Sequence, residues 1–319
     1  MRVIEYERFG GPEVLAVRER ETPRPRRGQL LVRVIASALN PKEIMLYSGK
    51  FRMLSGARFP RRTGFDWAGE VVEVGSAVRD VQPGTRMFGM IDGFRGGASA
   101  EYLICDVASC ARAPASLSLV EASAVPLASL TALQAFRNMA KLEAGQRVLI
   151  NGASGGVGTF AVQIARALGA EVDATTSPKN RELVRKLGAH DVYDYATLDF
   201  AHHEKRYDVV FDAFGNLPFE RVRPVLSAVG MQITTVPKLR WGLTIAKTLL
   251  SAQRMRLVSV KMRQSDLTFV ASLIDRGQLR PVIDSVLPLD EVVAAHRHLA
   301  SKHACGKIIL QVGADQRQP

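Results

Sequence analysis

The spacing of apolar and polar residues changes once along the chain, near Leu119. Before that point, short runs of β-branched or alternating residues are separated by Gly-Pro, Pro-Arg-Pro and Gly-Gly; the runs are LLVRVIASAL, WAGEVVEVG and AEYLIC. Short runs of this kind with turn residues between them predict strands. We therefore expect residues 1–122 to form a compact, β-rich, barrel-like domain.

After Leu119 the pattern alternates between strands and helices. The segment LVEASAVPLASLTALQAFRNMA predicts a helix that contains a proline. Strand patterns follow at RVLIN, EVDATT, DVVFDAF and MQITTV, and helix patterns at GGVGTFAVQIARALG, KNRELVRKLG and FERVRPVLSAVG. Such alternation is typical of βαβ units, in which helices cover both faces of a parallel sheet. The sequence thus predicts an α/β domain over residues 123–264.

The final segment, from about Ser265, returns to a mixed pattern. It predicts a helix, then the stretch SVLPLDEVVAAHRHLAS, and then the strand KIILQV. A strand that follows the α/β block can rejoin the first sheet. We therefore expect residues 265–319 to complete the first domain.

The composition fits a globular protein of two domains. The chain has 319 residues, of which 47% are hydrophobic and 23% charged, and these values exclude a disordered, collagenous or coiled-coil chain. No apolar run approaches the ~20 residues that span a bilayer, and the start MRVIEYERFG lacks the apolar stretch of a secretory signal. The odd set Cys105, Cys110 and Cys305 argues against a disulfide scaffold. These features predict a cytoplasmic location.

The net charge is unusual. Lys and Arg number 43 against 31 acids, which gives +12. Basic residues concentrate in Arg18–Arg33 and Lys238–Arg263, and apolar residues in the second segment recur at roughly helical spacing: Leu239, Trp241, Leu243, Ile245, Leu249 and Leu250. Part of this segment is therefore predicted to be an amphipathic helix. Three interpretations remain open, namely an anionic cofactor, a face for nucleic acid or anionic membrane, and solvation alone.

The most informative motif joins the first predicted strand of the α/β domain to its helix. Against the G-x-G-x-x-G template, Ala153 takes the first place, Gly155 the second and Gly158 the third. The second glycine allows a diphosphate to approach the backbone, and the third allows the helix to pack on the strand. The N-terminus of the helix then offers free N–H groups to the anion. We expect a dinucleotide to contact residues of this loop, which are Ala153, Ser154, Gly155, Gly156, Val157 and Gly158.

The end of the second strand of this domain bears on the choice of cofactor. NAD-binding folds usually place an acid there, on the ribose 2′-hydroxyl. Here the strand EVDATT ends at Ser177, followed closely by Lys179 and Arg181, whereas Asp173 lies in mid-strand. A hydroxyl and a cation suit a 2′-phosphate, so the sequence predicts NADP(H). The alternative is that Lys179 and Arg181 belong to the solvated first turn of a helix.

Taken together, these motifs resemble the medium-chain dehydrogenase/reductase superfamily. The β-rich start, NGASGGVG, the strand ending in Thr-Thr-Ser and the closing GKIIL are similar to its zinc-free quinone oxidoreductase branch, which is zeta-crystallin-like. The resemblance covers essentially the whole chain. It implies a GroES-like, β-rich catalytic domain together with a Rossmann domain whose parallel sheet is doubly wound. It also implies NADPH, a small-molecule substrate and a homodimer.

The resemblance carries further residues onto the cofactor site. Tyr195 matches a tyrosine that contacts the 2′-phosphate, with a surface aromatic residue as the alternative. Phe214 and Gly215 resemble the loop beneath the cofactor. Thr131 and Thr235 match positions near the nicotinamide. All of these residues belong to the α/β domain or its entry.

The resemblance also defines what to expect on the substrate side. Asn40-Pro41-Lys42-Glu43 is similar to the family's Asn-Pro-x-Asp turn, and Asn40 is the candidate polar group for substrate, with a turn cap as the alternative. The family's pocket tyrosine is replaced by Met45, which leaves either Tyr47 or water as the proton donor.

No metal is expected. The zinc ligands of the zinc-dependent relatives match Asn40, Phe65 and Leu127, none of which is a good zinc ligand. His296 and His298 are two apart on a predicted helix and therefore point in different directions. Without a metal, quinones and α,β-unsaturated carbonyls are the favoured acceptors, because they delocalise the charge that hydride transfer creates.

Two other functions remain possible from the sequence. One is a weakly active nucleotide-binding protein whose basic face binds RNA or a membrane. The other is a metal-free alcohol dehydrogenase or ketone reductase.

Overall fold

The computed structural model describes residues 1–199 and 202–314, with the side chains of Leu239 and Arg240 outside the description. The chain divides into two compact units. The first holds Met1–Leu127, Lys261–Gly277 and the chain from Pro281 onward, and the second holds Ala128–Val260 with Gln278–Arg280. The observed boundaries therefore fall a few residues from the predicted ones at 122/123 and 264/265.

The strands and helices are as follows in chain order. The strands are β1 (Arg2–Tyr6), β2 (Ala16–Glu19), β3 (Gln29–Ala38), β4 (Arg61–Arg62), β5 (Asp66–Val74), β6 (Arg86–Met90), β7 (Tyr102–Asp106), β8 (Ala111–Arg112), β9 (Arg147–Asn151), β10 (Glu171–Thr176), β11 (Val192–Asp194), β12 (Tyr207–Asp212), β13 (Leu226–Thr234), β14 (Arg254–Leu257), β15 (Ile283–Pro288) and β16 (Lys307–Gln311). The helices are α1 (Pro41–Tyr47), α2 (Arg52–Ser55), α3 (Leu119–Ser123), α4 (Pro126–Leu133), α5 (Gly156–Ala167), α6 (Arg181–Leu187), α7 (Phe219–Val222), α8 (Leu239–Lys247), α9 (Gln264–Asp275) and α10 (Val292–Ser301).

The first unit is built on a seven-stranded sheet. Its strand order is β15-β16-β3-β5-β6-β8, and β7 pairs with β3 beside this path. A second sheet of three strands has the order β2-β1-β4. Strand β16 lies antiparallel to β3, with Ile309 opposite Ala38, so the closing strand belongs to the sheet of the first unit. The sheets surround a core that includes Ile4, Val32, Trp67 and Leu310.

The second unit is a six-stranded parallel sheet. Its order is β11-β10-β9-β12-β13-β14, and every neighbouring pair is parallel. The predicted α/β alternation is therefore confirmed. The strands are apolar because helices cover both faces, as the fully buried Val148, Leu149 and Ile150 of β9 illustrate.

One predicted helix of this unit is wrong in its second half. The pattern FERVRPVLSAVG predicts a helix over residues 219–230, but α7 ends at Val222 and β13 begins at Leu226. Pro224 lies in the short 3₁₀ turn between them. Proline has no N–H and its ring collides with the carbonyl four residues earlier, so an α-helix cannot continue through it.

The basic segment Lys238–Arg263 contains the predicted amphipathic helix as α8. Trp241 is buried, whereas Leu243 is 70% exposed, so only part of the apolar face is covered by the chain itself. Among the described residues, no helix has the length and apolar character needed to cross a membrane.

Candidate cofactor and acceptor sites

The loop between β9 and α5 has the backbone form that a dinucleotide requires. Gly152 has a φ of +78°, and a Cβ there would lie 2.9 Å from Cβ of Phe214. The motif spacing gave the first place to Ala153, but the left-handed residue of the turn is Gly152. Only glycine adopts this conformation so close to a neighbouring chain without strain.

The other two glycines have different surroundings. A Cβ on Gly158 would lie 2.1 Å from the carbonyl oxygen of Gly152, so this residue allows the helix to pack against the turn, as predicted. A Cβ on Gly155, the N-cap of α5, would meet only that same oxygen, at 3.4 Å. The space beside Gly155 is therefore open at a helix N-terminus, where free N–H groups and the helix dipole favour an anion. A dinucleotide diphosphate fits this cradle.

Ser154 connects this loop to the end of β10. Its Oγ accepts hydrogen bonds from Oγ1 of Thr176 at 2.8 Å and from Nδ2 of Asn180 at 3.1 Å. Sequence reasoning missed Asn180, whose position just past the strand end was the only available signal. The two bonds fix Ser154, and with it the loop, against the strand that presents Ser177.

The predicted 2′-phosphate ligands lie at the ends of two adjacent strands. Strands β10 and β11 are parallel neighbours, with Thr176 opposite Asp194, so Ser177 and Tyr195 leave the same edge of the sheet. Lys179 is exposed in the short turn that follows Ser177, and Tyr195 is 60% exposed. The structure thus brings together three of the predicted residues at an accessible edge. Their contacts with a phosphate stay a prediction.

Asp173 does not lie at this edge. It is buried in mid-strand, where its carboxylate accepts from the ammonium of Lys205 at 2.8 Å and the hydroxyl of Tyr207 at 2.9 Å. The nearby set Asp173, His190 and Asp191 could offer metal ligands. However, the Lys205 ammonium already bridges the carboxylates of Asp173 and Asp191, at 2.8 Å and 2.6 Å, and so occupies the position that a metal ion would need.

The loop after β12 is held by two side chains that the sequence analysis did not single out. Asp212 accepts hydrogen bonds from Nδ2 of Asn151 at 2.7 Å and from the N–H groups of Gly215 and Leu217, both at 2.9 Å. Burial raises the pKa of its carboxyl group. Both side chains sit at strand ends, which was the available signal. They position Gly215 at the carboxyl edge of the sheet, where ligands of open α/β folds bind.

The remaining predicted cofactor residues occupy the same unit. Phe214 is 47% exposed in the loop, and Gly215 has a φ of +77°. Thr235 donates to the carbonyl of Ala213 at 3.0 Å, and Thr131 is buried in α4. Thr131 is therefore the one member whose side chain is enclosed rather than accessible. Its proposed contact stays a prediction.

On the first unit, the predicted substrate residue Asn40 lies in a buried network. Its Nδ2 donates to Oδ2 of Asp66 at 3.0 Å and to the carbonyl of Ala38, while its Oδ1 accepts from Nζ of Lys307 at 2.7 Å. Lys307 also donates to Asp66, at 3.1 Å. Asn40 is only 2% exposed. Its role at the substrate stays a prediction, and this placement favours a structural role.

The same network bears on zinc. The three positions that match zinc ligands hold Asn40, Phe65 and Leu127, and Asp66 beside them already accepts from Lys307, Asn40 and the N–H of Leu127. The buried ammonium of Lys307 thus supplies the positive charge next to these oxygens. Zinc needs nitrogen, sulfur or carboxylate donors that are free to bind it. The residues present do not fit a catalytic zinc ion.

Tyr47 and His296 form a second buried pair. The Tyr47 ring contacts the His296 ring edge-on, with 5.4 Å between ring centres, and neither polar group has a hydrogen-bond partner among the described residues. Burial raises the pKa of Tyr47 and lowers the pKa of His296 to about 4. A buried phenol that retains its proton is a poor acid, so this placement argues against Tyr47 as the proton donor, although the prediction itself is untested. His298 instead contacts Asp284, at 2.6 Å.

Glu43 lies against this pair and is fully buried. Its carboxylate accepts from the N–H groups of Asn40 and Gly64 and from the hydroxyl of Thr63, and it lies 3.7 Å from Nε2 of His296. Despite these donors, burial raises the pKa of Glu43 to about 7.

Comparison with known proteins decides the family. Residues 26–115 match the family model of the alcohol dehydrogenase GroES-like domain, and residues 187–310 match that of the zinc-binding dehydrogenases. A chloroplast quinone oxidoreductase, QR1 of Triphysaria versicolor, is 34% identical over 98% of this chain and 98% of its own length. The chain belongs to the medium-chain dehydrogenase/reductase superfamily. Within that superfamily it lies in the quinone oxidoreductase-like branch.

Two further proteins show the same relationship. A chloroplast NADPH-dependent alkenal/one oxidoreductase of Arabidopsis thaliana is 30% identical over 97% of this chain and 79% of its own length. The solved quinone oxidoreductase of Coxiella burnetii has a TM-score of 0.91 at 30% identity, covering 98% of this chain and 99% of that one. These likenesses confirm the predicted family, the GroES-like and parallel-sheet architecture, and an oxidoreductase that uses a nicotinamide cofactor.

Proposed function

We propose that this oxidoreductase is specific for NADPH, works without zinc, and transfers hydride to a quinone or an α,β-unsaturated carbonyl. The observation that carries this proposal is the buried network of Lys307, Asn40 and Asp66. Asn40 holds one of the positions that the resemblance matches to zinc ligands, and the oxygens of Asn40 and Asp66 already accept hydrogen bonds from Lys307.

The cofactor choice rests on the edge formed by β10 and β11. Ser177, Lys179 and Tyr195 offer a hydroxyl, a cation and a phenol to a 2′-phosphate, whereas Asp173, the acid within β10, is paired with Lys205 in mid-strand, away from this edge. The first turn of α5, next to Gly155, would hold the diphosphate. When bound, the dihydronicotinamide supplies the hydride.

The acceptor class is proposed because the residues at the positions matched to zinc ligands do not fit a Lewis-acidic metal ion. Reduction of an isolated ketone concentrates negative charge on one oxygen, and that charge normally needs a metal ion or a strong proton donor. A quinone or an enone delocalises the charge and needs less stabilisation from a metal ion or a proton donor. The names of the relatives, quinone oxidoreductase and alkenal/one oxidoreductase, agree with both classes.

The assembly and the location are proposals on other grounds. A homodimer is proposed because the family resemblance implies one. A cytoplasmic location is proposed from the few, odd-numbered cysteines.

The test is turnover by the purified protein. NADPH and NADH oxidation should be measured with benzoquinones, 2-alkenals, alkenones and simple ketones, and zinc should be measured by elemental analysis. We expect NADPH-dependent reduction of quinones or enones, negligible ketone reduction and no stoichiometric zinc. About one zinc per chain, lost together with activity on chelation, would contradict the proposal, and so would a preference for ketones. Activity should change little with salt, whereas binding to RNA or anionic vesicles would weaken steeply.

A further inference from the structure

Lys42, the second residue of α1, has a position that the site described so far does not explain. Its Nζ lies 4.2 Å from the ring centre of Phe65 and 5.5 Å from that of Phe94. Phe94 is itself in edge contact with Phe51, at 6.0 Å between ring centres. A half-buried ammonium therefore faces aromatic rings, which attract it through their electron-rich faces.

This ammonium has no hydrogen bond or ion pair with the described residues. The carboxylates close enough to raise the pKa of Lys42 are those of Asp92, Asp66 and Glu43, and each accepts hydrogen bonds from other residues. Asp92 accepts from the N–H of Met262, Asp66 from Lys307 and Asn40, and Glu43 from Asn40, Thr63 and Gly64. The three N–H groups of Lys42 thus remain available to a ligand.

The surroundings of Lys42 suit one kind of ligand oxygen. The partly exposed rings of Phe94 and Phe51 offer apolar contact to a flat conjugated molecule, the fully buried ring of Phe65 packs behind the ammonium, and the ammonium is the polar group beside them. Burial lowers the pKa of Lys42, with the nearby carboxylates opposing the effect. A lysine with a lowered pKa gives up a proton near neutral pH more readily than an exposed one.

We propose that Lys42 is a catalytic residue that contacts the carbonyl oxygen of the acceptor and supplies its proton. This inference rests on the proposed function. The acceptor takes two electrons and one hydrogen as hydride, an O–H bond forms as an N–H bond of Lys42 breaks, and the neutral amine regains a proton from water. A quinone plus hydride and this proton gives the hydroquinone. An enone takes hydride at its β-carbon and the proton at oxygen, giving an enol that tautomerises to the ketone.

The kinetic test compares Lys42→Met, Lys42→Arg and the matched control Lys50→Met, whose lysine is exposed on the same unit. We expect Lys42→Met to lower kcat by 10²-fold or more, the usual range for a general acid. NADPH affinity should stay within twofold. Wild-type kcat should fall as the pH rises through the pKa of Lys42, because only the ammonium can donate, and this alkaline limb should vanish in Lys42→Met. Lys42→Arg should keep part of the activity without the limb, and Lys50→Met should match wild type.

A merely structural lysine would lower stability without removing the alkaline limb, and that result would overturn the proposal. Wild-type-like kcat in Lys42→Met would overturn it too, while leaving the proposed function intact. If the wild type reduces no quinone or enone, the proposed function fails, and binding of 4-nitrophenolate then decides the case of Lys42. We expect wild type and Lys50→Met to bind this phenolate at least tenfold more tightly than Lys42→Met. Equal binding would show that Lys42 does not contact such an oxygen.

Discussion

The ammonium nitrogen of Lys307 lies 2.7 Å from Oδ1 of Asn40, although 267 positions separate the two residues. Both are buried, and Asp66 completes the charge balance at 3.1 Å from the same nitrogen. The contact exists because β16 pairs with β3, which brings the end of the chain to the turn before α1. It joins the closing strand of the first unit to Asn40 and Asp66.

Removing this ammonium should destabilise the protein. Lys307→Met leaves the fully buried carboxylate of Asp66 without its cation, and breaking a buried pair on one side costs about 3–5 kcal/mol. Urea unfolding should show this loss, whereas Lys50→Met should change stability by less than about 0.5 kcal/mol. Adding Asp66→Asn to Lys307→Met should recover part of the loss. A single variant as stable as wild type would show that the pair contributes little.

The loop glycines should separate folding from cofactor binding. The space beside Gly155 is open, so Gly155→Val should fold with near wild-type stability but fill the diphosphate cradle and abolish NADPH binding. Gly158→Ala places a methyl group 2.1 Å from the Gly152 carbonyl oxygen, and this overpacking should cost about 1–3 kcal/mol. Thermal unfolding and NADPH fluorescence titration measure the two effects. Unchanged NADPH affinity in a folded Gly155→Val variant would contradict the placement of the diphosphate.

The phosphate ligands can be tested through the choice of cofactor. A hydrogen bond to a charged group contributes ~1.5–3 kcal/mol, so Lys179→Ala should weaken NADPH by about tenfold or more and leave NADH unchanged. The control is Lys186→Ala, since Lys186 lies in the last turn of α6 and pairs with Glu182. Adding Ser177→Asp should reverse the preference, because an acid repels the phosphate and accepts from a ribose hydroxyl. Equal weakening of both cofactors by Lys179→Ala would show that Lys179 does not bind the phosphate.

Glu43 should make stability depend on pH. Its pKa rises from the ordinary 4.5 to about 7 in the fold because the carboxyl group is buried. A group whose pKa is raised on folding stabilises fully below pH 4.5 and loses that contribution as the pH rises to 7, here about 3 kcal/mol at ~1.4 kcal/mol per pKa unit.

The measurement is urea unfolding of wild type and Glu43→Gln between pH 4.5 and 8. The difference in unfolding free energy should shift in favour of Glu43→Gln as the pH rises. His296, with its pKa lowered to about 4, also destabilises the fold as the pH falls from 6.5, and because its Nε2 lies 3.7 Å from Glu43 the comparison is repeated in the His296→Gln background. A pH-independent difference would show that Glu43 does not titrate in this range.

Much of the architecture could be predicted because it depends on patterns among residues that are close together in the sequence. The alternation of strands and helices from β9 to α6 appears in the periodicity of the sequence, and the phosphate loop appears in the spacing of its glycines. The helix predicted over residues 226–230, where the structure has a strand, is wrong for a local reason as well. The apolar pattern there is compatible with a helix or a strand, and Pro224 ends the helix.

The site was only partly predictable, for a different reason. Ser177 was predicted from its position at the end of a strand, where ligands of parallel sheets bind, and Tyr195 was predicted by resemblance; both residues leave the same edge of the sheet. Asn40 and Tyr47 were proposed by resemblance, which gave no information on their surroundings, because the enclosure of Tyr47 against His296 depends on α10, far along the chain.

By itself, the sequence determined the two-part α/β architecture and the glycine-rich loop, because periodicity and turn chemistry act between residues near each other in the chain, and its resemblance to a known family indicated an oxidoreductase. Only the tertiary structure decided that Lys307 pairs with Asn40 and Asp66, that Glu43 is buried, and that Lys42 faces aromatic rings and has no hydrogen bond or ion pair with the described residues. The charge state of such groups, and their availability to a ligand, depend on burial and on hydrogen-bond partners from distant segments. Strand pairing brings those segments together, and the sequence does not reveal it locally.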